Sequence, residues 1–171
     1  PDTAAVRERT ETVIARLTQI RDMPCRAVPA KWSDPVRAAA RGYDPRFAFA
    51  GPAQCVHGDV SPGNVLFADG GAVLCDFEDA AFGFRPPLFD LAMAALRFGL
   101  DGPEAEATAR VNALLDSYGG AAPDRDLLRR SMKWCAHHAW MVLTALAIDG
   151  AAPDAGEWAK PARWLELVER W

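Results

Sequence analysis

His57-Gly58-Asp59-Val60-Ser61-Pro62-Gly63-Asn64, with Asp76-Phe77-Glu78 following it, is the stretch that decides how this chain is read. Asp59 sits on a tight loop, and an amide, Asn64, comes five positions later. Two short apolar runs follow, Asn64-Val65-Leu66-Phe67 and Ala72-Val73-Leu74-Cys75-Asp76-Phe77, joined by Ala68-Asp69-Gly70-Gly71. An Asp-Gly pair between two such runs spells a β-hairpin. Closing that hairpin brings the two carboxylates and the amide to one small site. Carboxylate and amide oxygens are hard donors, suited to Mg2+ rather than Zn2+. A magnesium ion held by one or two protein oxygens keeps waters and takes its other ligands from phosphate. Taken singly, Asp59, Asn64 and Asp76 each read as an ordinary loop or turn residue. The three together point to chemistry.

Outward from this stretch the chain reads as helical. Residues 3–21 carry Val6, Val13, Leu17 and Ile20 at helical spacing, with Thr3 as a cap, and the proline-containing run 23–29 ends them. Ser33-Asp34-Pro35 opens a second helix, with a side-chain cap and a proline in the first turn. It runs to about Arg41, with Gly42 as its stop. Residues 43–52 form a proline-punctuated loop. After Pro86-Pro87, further helices are expected at 88–98, 103–118, 124–148 and 157–171. The segment from Asp124 is long and mostly apolar beyond Met132, which makes it the buried central helix.

Composition narrows the function classes. The 171 residues are 50% apolar and 25% charged, which excludes wholesale disorder and fibrous repeats and leaves room for one domain. Nineteen basic residues face 23 acidic ones, a net charge of −4. That argues against a general binder of nucleic acid or anionic membranes. No apolar run is long enough to span a membrane, and the start does not read as a signal peptide. The four cysteines, Cys25, Cys55, Cys75 and Cys135, form no C-x-x-C pair, so zinc is not expected. Cys55 and Cys75 sit in apolar runs and read as buried, reduced thiols, in keeping with a cytoplasmic protein.

The motif spacing resembles the H-x-D-x-x-x-x-N catalytic loop and D-F-G metal motif of eukaryotic-type kinases. The variant here, H-G-D-x-x-x-x-N with D-F-E and the later Phe89-Asp90-Leu91-Ala92, resembles the aminoglycoside phosphotransferase and choline kinase-like family more closely, over about residues 55–95. The fold that the resemblance implies is α+β and mostly helical: the larger, C-terminal lobe of a kinase-like fold with a short catalytic hairpin. The activity it implies is transfer of the ATP γ-phosphate to a hydroxyl of a small molecule, aminoglycoside-like or an amino alcohol. Asp59 would be the catalytic base, and Asn64 and Asp76 would hold the Mg2+ that bridges the ATP phosphates. Ser61 stands where protein kinases carry a lysine near the transferred phosphate. His57 would pack under the loop as a structural residue. Asp90 would brace the loop through backbone hydrogen bonds, although by itself it reads equally well as a helix cap. Glu78 and Asp79 are the candidates for the metal's water shell or the acceptor.

The chain also departs from that family. No VAIK-like strand or Gly-rich phosphate loop precedes His57, and Lys31 lies in a loop. Together with a first residue that is Pro1 rather than Met, this reads as a single lobe, residues 1–171, whose N-terminal nucleotide-gripping lobe is its missing partner. Such a fragment is expected to be inactive alone. The alternative is a kinase-like lobe kept as a non-catalytic binding module. His137 and His138, beside Trp134 and Trp140, read as core packing, with an aromatic wall for a cationic substrate as the other reading. Asp149, Asp154 and Glu157 read as solvated surface.

Overall fold

Helix-spaced apolar residues and one Asp-Gly turn set the architecture. The computed structural model describes residues 3–22, 27–47, 54–77, 84–99, 103–118 and 123–171. In chain order the elements are α1 (Thr3–Asp22), α2 (Ser33–Gly42), β1 (Gln54–Cys55), β2 (Val65–Ala68), β3 (Gly71–Leu74), β4 (Phe84–Arg85), α3 (Leu88–Gly99), α4 (Ala107–Ser117), α5 (Arg125–Ile148) and α6 (Ala155–Arg170). The fold is α+β and mostly helical, as expected. Glu78, Asp79 and Cys25, singled out above, lie outside the described residues.

The long apolar helix is central. α5 packs against α1, α2, α3 and α6. Its Leu128, Met132, Cys135, Ala136 and Met141 share one buried core with Leu91, Ala92, Ala95 and Leu96 of α3. Buried indoles need a partner for their N–H, and three find one. Trp134 donates to the Asp44 carbonyl at 2.6 Å, Trp140 to the Trp158 carbonyl at 3.2 Å, and Trp171 to Asn112 Oδ1 at 3.0 Å. Among the described residues no helix is long and apolar enough to cross a membrane.

The hairpin forms at the Asp-Gly turn. β2 pairs antiparallel with β3, Val65 opposite Leu74 and Ala68 opposite Gly71, leaving Asp69-Gly70 as the two-residue loop. A second pairing, β1 with β4, joins Cys55 to Phe84 and Gln54 to Arg85 and was not expected.

Several local expectations are corrected. Cys55 lies on a two-residue strand with little cover and is exposed, and Cys75 is half-buried, although neither is in a disulfide. Cys135, packed inside α5, is the buried one. α2 is capped from Trp32 with no side-chain hydrogen bond; the Ser33 hydroxyl instead accepts from Arg37 Nη2 at 3.4 Å. The 103–118 segment is split, with a tight turn at Glu104–Glu106 before α4. α6 begins at Ala155, because Asp154 Oδ1 accepts from the Glu157 N–H at 2.9 Å and caps it there.

Candidate active site

The His57–Asn64 loop is held from below by α3. Asp90, in the first turn of α3, accepts the His57 N–H at 2.7 Å on one oxygen and the Gly58 N–H at 2.9 Å on the other. Gly58 has φ +92°, a left-handed conformation that glycine adopts without strain. His57 is buried and stacks at a tilt on Phe77, ring centres 4.5 Å apart. Its Nε2 lies 2.8 Å from the Cys75 carbonyl, which can only accept, so the ring proton sits on Nε2. Nδ1 then accepts the Asp59 N–H at 3.4 Å. The imidazole thereby ties the loop to the end of β3.

Asp59 and Asn64 meet directly. Asn64 Nδ2 donates to the Asp59 backbone carbonyl at 3.0 Å and to Asp59 Oδ2 at 3.1 Å. Those two acceptors fix the amide's orientation and leave its Oδ1 as the oxygen available to a ligand. The other Asp59 oxygen, Oδ1, accepts from Arg97 Nη2 at 2.9 Å. Asp76 comes alongside through the hairpin, because the Cys75 N–H donates to the Asn64 carbonyl at 3.0 Å and extends the β2–β3 ladder to the residue before it. Asp76 has φ +65°, the left-handed region in which non-glycine residues are strained. Its exposed carboxylate makes no hydrogen bond with a described residue. Ser61 is buried, and its carbonyl accepts the Asn64 N–H at 3.0 Å.

This donor set suits a hard cation. Asn64 Oδ1 and the Asp76 carboxylate are oxygen donors beside the Asp59 loop, which fits Mg2+ with waters and phosphate completing its shell. Among the described residues no group of three or more His, Cys, Asp or Glu side chains could hold a metal, so a closed protein cage of the zinc type does not fit.

A cavity of about 450 Å3 opens on Gly58 and Asp59, between α3, α5 and α6. Arg85, Phe89, Met93 and Arg97 form one wall, His138, Val142 and Leu146 another, and Glu157, Lys160, Pro161 and Trp164 a third. Arg97 lies over the Trp164 ring, its guanidinium carbon 5.3 Å from the ring centre, and Arg85 lies over Phe89 at 4.3 Å. Glu157 pairs with Lys160 one turn along α6.

A family model, the phosphotransferase enzyme family, matches residues 2–130, three quarters of the chain. The chain belongs to the phosphotransferase enzyme family. Phosphoryl transfer is accordingly the general chemistry of this chain's family, whose members generally use ATP and Mg2+. Neither the curated proteins nor the solved structures give a significant match. The family match ends near the start of α5, so most of the cavity wall, His138, Glu157, Lys160 and Trp164 included, lies beyond it.

In this member of the family the structure brings Asp59, Asn64, His57 and Asp90 into one bonded network, with Asp76 following directly on Cys75, which bonds to Asn64. The sequence reasoning missed Arg97. Its signal was present: Arg97 stands seven residues after Asp90, two turns of helix, and so shares the face of α3 that meets the loop. Glu157, read as solvated surface, is instead half-buried and lines the cavity. His138 is both core and cavity wall: it stacks on Trp134, ring centres 4.7 Å apart, while its edge faces the cavity.

Proposed function

We propose that this chain is the C-terminal catalytic lobe of a kinase-like phosphotransferase that moves the ATP γ-phosphate to a hydroxyl of a small molecule. The observation that carries the reading is the doubly held Asp59 carboxylate, one oxygen on Asn64 and the other on Arg97, at the mouth of a cavity large enough for a small acceptor. Catalysis of this class is mostly positioning and electrostatics. Asp59 orients the acceptor hydroxyl and takes its proton. Asn64 Oδ1 and Asp76 are the ligands for Mg2+, which when bound offsets the charge of the phosphates. His57 and Asp90 fix the loop, and Ser61 lines it near the transferred phosphate. Cys55, Cys75 and Cys135, none of them in a disulfide, support a cytoplasmic setting.

The hairpin supports a second lobe as partner. Leu66, Phe67, Val73 and Phe77 are all more than half exposed, an apolar surface at the metal-binding end of the site. A nucleotide-gripping lobe packed on that surface would cover it and close over the ATP.

Magnesium-dependent transfer of phosphate from ATP, assayed with the full-length protein against a panel of hydroxylated acceptors, tests this. Asp59→Ala is expected to lower kcat by about 10²–10⁴-fold or more while leaving ATP affinity near its original value. Near-normal kcat in that variant removes Asp59 as the base. No transfer to any acceptor leaves the chain as a binding module.

A further inference from the structure

α3 reaches the Asp59 loop with two side chains. Asp90, in its first turn, holds the backbone N–H groups of His57 and Gly58. Arg97, in its last turn, holds the Asp59 side chain itself, donating from Nη2 to Oδ1 at 2.9 Å. One helix thus fixes both the backbone of the loop and the carboxylate that the loop carries.

An aspartate carboxyl turns easily about its last torsion, so its direction is set by what holds its oxygens. Asn64 Nδ2 holds Oδ2 at 3.1 Å, and Arg97 holds Oδ1. Each oxygen has two lone-pair directions, which leaves one on each for an incoming hydroxyl. The Arg97 and Asp59 side chains are only 29% and 33% exposed, so this is not the freely solvated type of ion pair that holds nothing in place. Arg97 has its own support on the far side. Its guanidinium carbon lies 5.3 Å from the centre of the Trp164 ring, close enough for the indole face to attract the cation. Its Nε is buried with no hydrogen-bond partner among the described residues, so no bond at that nitrogen shares in placing it. Trp164 is itself buried, in α6, beyond the residues that the family model matches.

Granted the phosphotransferase reading above, on which this rests, we propose that Arg97 is a positioning residue: it sets the direction of the Asp59 carboxylate toward the acceptor hydroxyl, and Trp164 sets Arg97. Through these two contacts α6 governs the geometry of the base without touching the loop.

Asparagine occurs only at positions 64 and 112, so protein isotope-labelled in its asparagine side chains gives two amide proton pairs by NMR, which Asn112→Asp assigns. The Asn64 pair reports the Asp59 carboxylate. The Asn112 pair, on the residue whose Oδ1 accepts from Trp171 at 3.0 Å, reports the packing of α4. Without metal or nucleotide, Arg97→Met is expected to move the Asn64 pair toward the position of a free asparagine and to leave the Asn112 pair in place. Trp164→Leu, which keeps the Arg97 charge, is expected to move the Asn64 pair the same way by less. In the full-length protein with Mg2+, ATP and the best acceptor of the panel, Arg97→Met is expected to lower kcat by about 10–100-fold while KM for ATP changes by no more than about twofold. Trp164→Leu is expected to lower kcat by less. An Asn64 pair that stays in place in Arg97→Met overturns the proposal, as does a moved pair with kcat unchanged. A Trp164→Leu protein that matches wild type in both readouts overturns the part given to Trp164. Should Arg97→Met fail to fold or move both pairs, Arg97→Gln, whose shorter side chain stops short of Asp59, is read in its place. The same failure there overturns the proposal, because Arg97 would then hold the fold rather than the base. A moved Asn64 pair without phosphate transfer to any acceptor in wild type fails the phosphotransferase reading and leaves Arg97 as the holder of the carboxylate. Transfer that Arg97→Met leaves untouched does the reverse.

Discussion

Asp90 illustrates how a single side chain acquires its meaning from its partners. Its sequence position suits a helix cap and a loop brace equally, because it precedes Leu91-Ala92-Met93. Its carboxylate oxygens are spent on the His57 and Gly58 N–H groups, thirty-odd residues earlier in the chain. His138 makes a sharper prediction. Burial, reinforced by the nearby Arg85 charge, pushes its imidazole down to about 3. Burial also pushes the Tyr43 hydroxyl upward, so the phenol stays protonated and donates to His138 Nδ1 at 2.7 Å. Between pH 3 and the ordinary histidine value near 6.5, the unfolded chain binds this proton and the native chain does not. The native state therefore gains stability as pH rises through that window, holds it in full above about 6.5, and loses it as pH falls. His138→Gln keeps an acceptor for Tyr43 and removes the titration. Urea unfolding at pH 6.5 and pH 5 should show wild type losing on the order of 1–2 kcal/mol more than the variant. Equal losses would sink the assignment. His137, also pushed down by burial and by Lys133, is present in both proteins and cancels. At this scale the motif residues were legible because their spacing is local. Arg97 was legible only indirectly, through Asp90 two turns earlier on the same face of α3, because nothing local to the arginine points to an aspartate 38 positions earlier.

The β2–β3 hairpin shows what an element can specify by itself. Asp69-Gly70 dictates a two-residue turn, and the turn dictates the register, so the pairing was readable before any coordinates. The β1–β4 pairing was not, since two residues on each side, separated by the whole hairpin, carry no periodic signal. A two-stranded hairpin is marginal in water, and this one buries little of either face. It is anchored at its open end, where Cys75 donates to Asn64 and accepts from His57. Stability should then reside in that anchor rather than in the apolar side chains at the tip. Phe67, 80% exposed, is the test. Phe67→Ser is expected to shift the stability of the 171-residue chain by no more than about 0.5 kcal/mol, and to reduce its self-association in light scattering by removing exposed apolar surface. A loss well above 1 kcal/mol in urea unfolding would mean that Phe67 is buried against the rest of the chain.

At the scale of the whole molecule, the site is framed by two helices, α4 and α6, that close around the end of α3. α4 and α6 both pack on α3, and they meet it at Gly99. A Cβ there would stand 2.8 Å from Val111 Cγ2 on α4 and 3.0 Å from Leu167 Cδ2 on α6. Leu167 lies one turn beyond Trp164, the ring that holds Arg97, so the gap that glycine leaves also sets how closely α6 approaches the cavity. None of this is visible in the sequence, where Gly99 reads as a helix terminator and α6 as one more amphipathic segment. Two effects of opposite sign compete in Gly99→Ala. Relief of glycine's conformational freedom gains at most about 1 kcal/mol in a helix interior, and less at a helix end. Crowding a packed three-helix contact costs about 1–3 kcal/mol. Crowding wins, so Gly99→Ala should destabilise the protein, as read from urea unfolding. The contact with Val111 supplies the decisive comparison. In a Val111→Ala background the added methyl finds space, and the cost of Gly99→Ala should fall by more than 0.5 kcal/mol, the coupling expected of residues that touch. Additive costs in that double-mutant cycle would mean that the helices are not in contact through Gly99, and that the wall carrying Trp164 is positioned by something else.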